Sequence, residues 1–288
     1  MGLPSEMIAE AYAAACLDEL RAPKAGNVHD FGDGHGMTVS DFEVSAKVTA
    51  PLIARPGARV GERVRSAIAA TRAAVDCNTN LGIVLMSAPL ALAAEREGSG
   101  DLAGAVGRVL ADLDLGDASG VFEAIVLAQP AGLGESAEHD VREPATVTLL
   151  EAMRTAEDRD RIAWNYTHGF EDVFRLGVPT FRDAFVRWND WLWATAAVHF
   201  AFMAAFRDTH IDREHGGTAA DAARDEATRL LSRLKAAGDP ATLMPEILAL
   251  DRRLKADGHN PGTSADLTVA TVFAVRLLGG LRSAAKGG

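Results

Sequence analysis

Cysteine is scarce: Cys16 and Cys77 are the only two in 288 residues. Two thiols so far apart exclude a disulfide framework and a cysteine-ligated zinc site, and a reducing cytoplasm is the simpler setting. Positive charge is also short. Against 40 Asp and Glu there are 29 Lys and Arg, a net charge of -11. Binding to bare nucleic acid needs clustered cations, so that partner class is excluded, whereas a nucleotide held through Mg²⁺ is not. No basic-then-apolar leader opens the chain, which begins MGLPSEMIAE. The longest uncharged apolar run, WLWATAAVHFAFMAAF at 191–206, is short for a membrane span and contains a His, so it reads as a buried core helix. Period-2 strand patterns are missing, as are Gly-x-x-x-x-Gly-Lys-Ser/Thr, Gly-x-Gly-x-x-Gly and Gly-x-Ser-x-Gly motifs. The expectation is a cytoplasmic protein with no nucleic-acid or membrane partner, for which small-molecule nucleotide partners stay open and a homodimer is allowed.

What is present is helix. Ile8, Tyr12, Cys16 and Leu20 repeat at four-residue spacing, and Val60, Val64, Ala67, Thr71 and Val75 form another stripe. LGIVLMSAPLALAA at 81–94 is apolar all round, as a central helix is, with Pro89 expected to kink or split it. Further helical patterns cover roughly 101–113, 119–128, 145–175, 183–207, 217–236, 240–257 and 263–284. With 48% hydrophobic residues and no linker, the chain predicts an all-α fold, a single multi-helix domain over 1–288 of roughly ten or more helices. The Gly- and charge-rich stretch 131–144 reads as a loop.

Four polar interruptions stand out at predicted helix ends, where unpaired N–H groups favour anions. In PKAGNVHDFGDGHGMTVSD (23–41), glycines permit close backbone approach to a ligand. There Lys24 can meet a phosphate, while His29, Asp30, Asp33 and His35 can bind a metal or move protons. Thr38 to Asp41 also fits a capping box, so Asp41 is a cap or a ligand. In DCNTNLG (76–82), Asn78, Thr79 and Asn80 must find partners if buried, either in a ligand or in the helix start with Asn80 as N-cap. FRDTHIDREHGG (206–217) carries Asp208 and His210 beside other charges. DGHNPGTSADL (257–267) places Thr263 or Ser264 as a cap ahead of Asp266. The tryptophans at 188, 191 and 193, with Phe200, Phe202 and Phe206, read as core rather than a stacking surface.

Taken in order, PKAGNVHDFGDGHGM, CNTNLGI, RDTHIDREHG and NPGTSADL resemble the motifs of the triphosphoribosyl-dephospho-CoA synthase family. That resemblance spans nearly the whole chain and implies an all-α transferase with ATP as ribosyl donor. The 2′-hydroxyl of 3′-dephospho-CoA would attack C1′ of ATP's ribose and expel adenine. It implies Asp30 and Asp33 at Mg²⁺ or an oxocarbenium-like centre, and His35 or His29 as base. Lys24, Asn27, Asn78, Thr79, Asn80, His210 and Ser264 would bind substrate, and Asp208 and Asp266 would serve Mg²⁺ or nucleotide. The chain departs from the family pattern where Asn80 and Leu81 replace His-Lys, Ala25 replaces Pro and Thr263 replaces Gly. THGFEDVFRLGVP (167–179) also lacks the Arg of a Gly-Ala-Arg segment. Divergent members of this kind resemble proteins of one-carbon carrier biosynthesis (tetrahydromethanopterin or methanofuran), which gives an alternative substrate. A Mg²⁺-dependent nucleotide hydrolase and a non-catalytic nucleotide-binding protein are further alternatives.

Overall fold

Alanine, the strongest helix former, recurs in nearly every apolar stripe, and the chain folds accordingly. The computed structural model describes residues 2–98, 100–130 and 139–287, and holds fourteen α-helices with no strand among the described residues. In chain order these are α1 Ser5–Arg21, α2 Val39–Ile53, α3 Val60–Val75, α4 Leu81–Arg96, α5 Leu102–Ala111, α6 Leu115–Ala128 and α7 Leu149–Arg154. They continue with α8 Arg161–Thr167, α9 Val178–Trp188, α10 Trp191–Ala205, α11 Thr209–His215, α12 Gly217–Ala236, α13 Met244–Ala256 and α14 Gly262–Gly287. A π-helical turn, Asp172–Gly177, leads into α9, and a 3₁₀ turn, Pro240–Leu243, leads into α13. The all-α expectation therefore holds. Of the loop expected at 131–144, residues 131–138 lie outside the described residues.

The chain forms two compact units, each assembled from separated segments. One comprises Met1–Cys16, Asp41–Glu171 and Phe273–Gly288, the other Leu17–Ser40 and Asp172–Val272. In the first unit α4 is the core, with every residue from Ile83 to Ala94 buried. Pro89 does not split it. The carbonyl that a proline at 89 leaves without its helical donor is that of Leu85, and the Tyr166 hydroxyl donates to it at 2.7 Å. Against this core α3 packs closely on α6: a Cβ on Gly120 would stand 2.6 Å from the Gly61 carbonyl oxygen. Cys16 and Cys77, both in this unit, are not joined in a disulfide.

In the second unit α10 packs against α9 and α12, and Phe200 and Phe202 are fully enclosed. Trp191 stacks edge-on against Phe181 and donates its indole N–H to Asp18; Phe200 and Phe202 are core, as expected, whereas Trp188, Trp191, Trp193 and Phe206 are only half-buried. The single helix expected over 183–207 is broken. Asn189 adopts a left-handed conformation, and Asp190 restarts the helix by accepting the Trp193 N–H. The span 145–175 is likewise α7, α8 and part of the π turn, because Asp160 caps α8 afresh and Gly169 and Phe170 end it at positive φ. Among the described residues, α14 contains the one stretch long and apolar enough to cross a membrane, Gly262–Ala284, but most of it is buried in the protein, as in a core helix.

Candidate active site

The 23–41 interruption, up to Ser40, folds as a plug within the second unit. Two successive reverse turns build it: His29 and Gly32 exchange backbone hydrogen bonds, and so do Gly34 and Met37. At the tip of the second turn both central residues, His35 (φ +55°) and Gly36 (φ +74°), are left-handed, the combination a type I′ turn requires. Gly26 is left-handed too (φ +82°), and a Cβ there would lie 2.7 Å from the Pro261 ring. Only glycine meets both demands at 26.

Asp251 of α13 pins the plug. Its Oδ1 accepts the Gly26 N–H at 2.9 Å and lies 3.1 Å from both His29 Nε2 and Lys255 Nζ. Burial pushes the Asp251 carboxyl up, but His29, the Gly26 N–H and Lys255 together outweigh it and hold it below its usual range. Lys255 also donates to the Gly32 carbonyl at 2.9 Å. His29 is fully buried, and burial lowers its pKa despite Asp251. Its Nδ1 accepts the Phe31 N–H at 3.1 Å, so the proton sits on Nε2, facing Asp251. Both ring nitrogens are thereby committed, which removes His29 as a substrate base.

Lys24 is also enclosed. Its ammonium donates to Glu19 and, at 2.8 Å, to Asn27 Oδ1. Asn27 in turn donates to Asn260 Oδ1 at 2.8 Å. Burial pushes Lys24 down and Glu19 up, while each pulls the other back toward its charged form. The expectation of Lys24 and Asn27 on substrate thus gives way to a buried polar tie. Nearby, His199 of α10 donates from Nε2 to the Ala25 carbonyl at 3.2 Å, and burial drives its pKa to about 3.

His35 is different. Half-buried, it bonds the Gly26 carbonyl through Nε2 at 2.7 Å. A carbonyl only accepts, so Nε2 is the donor in this bond. His210 is near enough that His35 adds to the lowering of its pKa, which burial dominates and Asp208 and Glu214 oppose. The His210 ring lies against Gly262, where a Cβ would stand 2.4 Å from Nδ1.

Asp208 was expected at a metal, but its two oxygens already accept four hydrogens. Oδ1 takes the His210 and Ile211 N–H groups, and Oδ2 takes the Ser264 N–H and hydroxyl at 2.8 and 2.7 Å. Four donors fill a carboxylate's lone-pair sites, so Asp208 ties the start of α11 to α14. Ser264, expected on substrate or as a cap, is spent in this tie inside α14, which begins at Gly262. Asp266 lies a turn into α14 and draws Lys24 toward its charged form. Asp33 is exposed and accepts the Val39 N–H at 3.0 Å, closing the start of α2; Asp30 is exposed. No group of three or more His, Cys, Asp or Glu among the described residues is placed to hold a metal ion. The expected Mg²⁺ set of Asp30, Asp33, Asp208 and Asp266 therefore forms no cage of its own.

Asn78, Thr79 and Asn80 belong to the first unit. Asn80 occupies the N-cap position of α4 without capping it; Asn78 Oδ1 takes the Leu81 N–H instead, at 3.1 Å. Of the residues the sequence did not single out, Asp251 and Lys255 carried a faint signal, an acid–base pair at i, i+4 on one helix. Glu19 and Asn260 carried none, since their partners lie on other elements.

The fold and the site define an all-α protein whose polar loops are set at helix ends. A family model described as ATP:dephospho-CoA triphosphoribosyl transferase (CitG) matches residues 5–284, and the chain belongs to that family of transferases. A crystal structure from Archaeoglobus fulgidus, provisionally designated a triphosphoribosyl-dephospho-CoA synthase, has a similar fold. Its TM-score is 0.63 at 24% identity, covering 80% of this chain and 95% of that one. No curated protein sequence matches significantly.

Proposed function

We propose that this enzyme transfers the triphosphoribosyl group of ATP to the 2′-hydroxyl of 3′-dephospho-CoA, with His35 as general base. The observation that carries the reading is the 2.7 Å bond from His35 Nε2 to the Gly26 carbonyl, which commits Nε2 as a donor and leaves Nδ1 as the nitrogen to take a proton. In the reaction the 2′-hydroxyl gives its proton to His35 Nδ1 as its oxygen bonds to C1′ of ATP's ribose. The C1′–N9 bond breaks, and adenine leaves with the electron pair and takes a proton from solvent. A positioned base of this kind contributes roughly 10²–10⁴-fold. The Asp251–Lys255–Gly26 network supports the reading because it fixes the carbonyl that orients His35. No step is assigned to Mg²⁺; one that arrives on the triphosphate would need only one or two carboxylates.

The test is incubation with ATP and dephospho-CoA, followed by mass spectrometry for adenine and a triphosphoribosyl adduct. Both products are expected, and His35→Ala should lower kcat by roughly 10²-fold or more while leaving the melting temperature near wild type. Adenine without adduct would instead support a nucleotide hydrolase. Neither product would point to another acceptor or donor and would sink the assignment.

A further inference from the structure

Asn78, Thr79 and Asn80 lead into α4, and the first two are committed to holding the turn. Asn78 Oδ1 accepts the Leu81 N–H. Ser45 Oγ donates to the Asp41 carbonyl at 2.6 Å, so at its 2.7 Å contact with Thr79 Oγ1 it must accept, and Thr79 donates. Asn80 is not spent in this way. Only 4% of it is exposed, yet neither Oδ1 nor Nδ2 meets a hydrogen-bond partner among the described residues. It stands at the start of a sixteen-residue helix, whose first N–H groups face outward as at any helix start. An unpaired buried amide lowers stability, and an apolar side chain would serve the fold better.

We infer that Asn80 is a recognition residue whose amide reads a neutral, planar edge carrying a donor beside an acceptor, as a nucleobase or a carboxamide presents. A phosphate group offers the amide acceptors alone and would leave Oδ1 unmet. The next residue, Leu81, brings no cation. Asp41 and Asp76 lie close enough to add to the rise that burial imposes on the neighbouring Cys77 thiol, and Arg72, paired with Asp76, opposes them. An Asn amide matches the N6 and N7 positions of adenine with two hydrogen bonds. The inference deepens the nucleotide reading above and rests on it.

Equilibrium calorimetry on the full chain separates the sources. Adenine, nicotinamide and inorganic pyrophosphate are titrated in turn into wild type, Asn80→Leu and Asn80→Asp. One of the two neutral probes should bind wild type, and about tenfold or more weakly in both variants, with Asn80→Leu melting no lower than wild type. Adenine as the better probe identifies a nucleobase edge, and nicotinamide a carboxamide. Binding of pyrophosphate alone, binding of neither neutral probe, or affinities unchanged in both variants would overturn the inference. No turnover is involved, so this outcome is independent of whether adenine is released from ATP in the transfer assay.

Discussion

Glu19 and Lys24 are five positions apart, and both side chains are removed from water. A charge buried with its partner is tolerable; a charge buried alone is not. Lys24→Met should therefore cost about 3–5 kcal/mol in urea unfolding, and the double variant Lys24→Met with Glu19→Met should recover most of it. If Lys24 served a phosphate rather than Glu19, the second change would bring no recovery. This pair also shows what could be read at the level of single residues. Lys24 stood out in sequence because it opens a polar loop, and a phosphate was its natural partner. Its actual partner sits on α1, in an ordinary amphipathic stripe, and nothing in the spacing marks Glu19 as buried. The same holds for His29 and Asp208. Their identities were legible as chemistry-bearing, but half of the bonds that commit them, His29 to Asp251 and Asp208 to Ser264, come from elements distant in sequence. His35 stands at the tip of a local turn, which two residues at positive φ specify, so its placement is more nearly legible in the sequence.

At the level of elements, the apolar periods located most helices, and the failures lie where a side chain restarts or rescues one. Asp160 and Asp190 each divide a stretch that hydrophobic periodicity alone joins, since a cap is one residue and leaves the period nearly intact. Pro89 failed in the opposite direction. The break expected there does not occur because Tyr166, 77 positions on in the chain and deeply buried, supplies the missing donor to the Leu85 carbonyl. Burial accordingly pushes the Tyr166 phenol well above its usual range, so it stays protonated and able to donate. Tyr166→Phe should cost about 1–3 kcal/mol by leaving that carbonyl unmet. In Pro89→Ala the backbone N–H at 89 can meet it instead, so Tyr166→Phe should cost less in that background. A double-mutant cycle by urea denaturation measures the difference; a coupling of zero would mean that the hydroxyl does not stand in for the lost N–H.

For the whole molecule, two acid responses compete. The net charge of -11 shrinks as pH falls toward the pI near 5.2, which relieves repulsion, but exposed charges are screened by salt. Against this, burial lowers the pKa of His29, His199 and His210 below the ordinary 6.5, in the case of His199 to about 3. Below pH 6.5 the unfolded chain binds protons that the folded chain refuses. Stability is thus fully present above that value and is lost as pH falls toward the folded pKa values. Each such histidine can contribute a slope of up to about 1.4 kcal/mol per pH unit. Asp251, held below its ordinary 3.8, adds its loss only further down. The buried histidines should dominate the screened surface, so the urea midpoint is expected to fall steadily from pH 6.5 to 4.5 at 0.15 M salt. His199→Phe removes one titrating group from the interior and should flatten that decline whatever it does to stability at pH 7.5. An unchanged slope would mean that His199 is not held neutral by the fold.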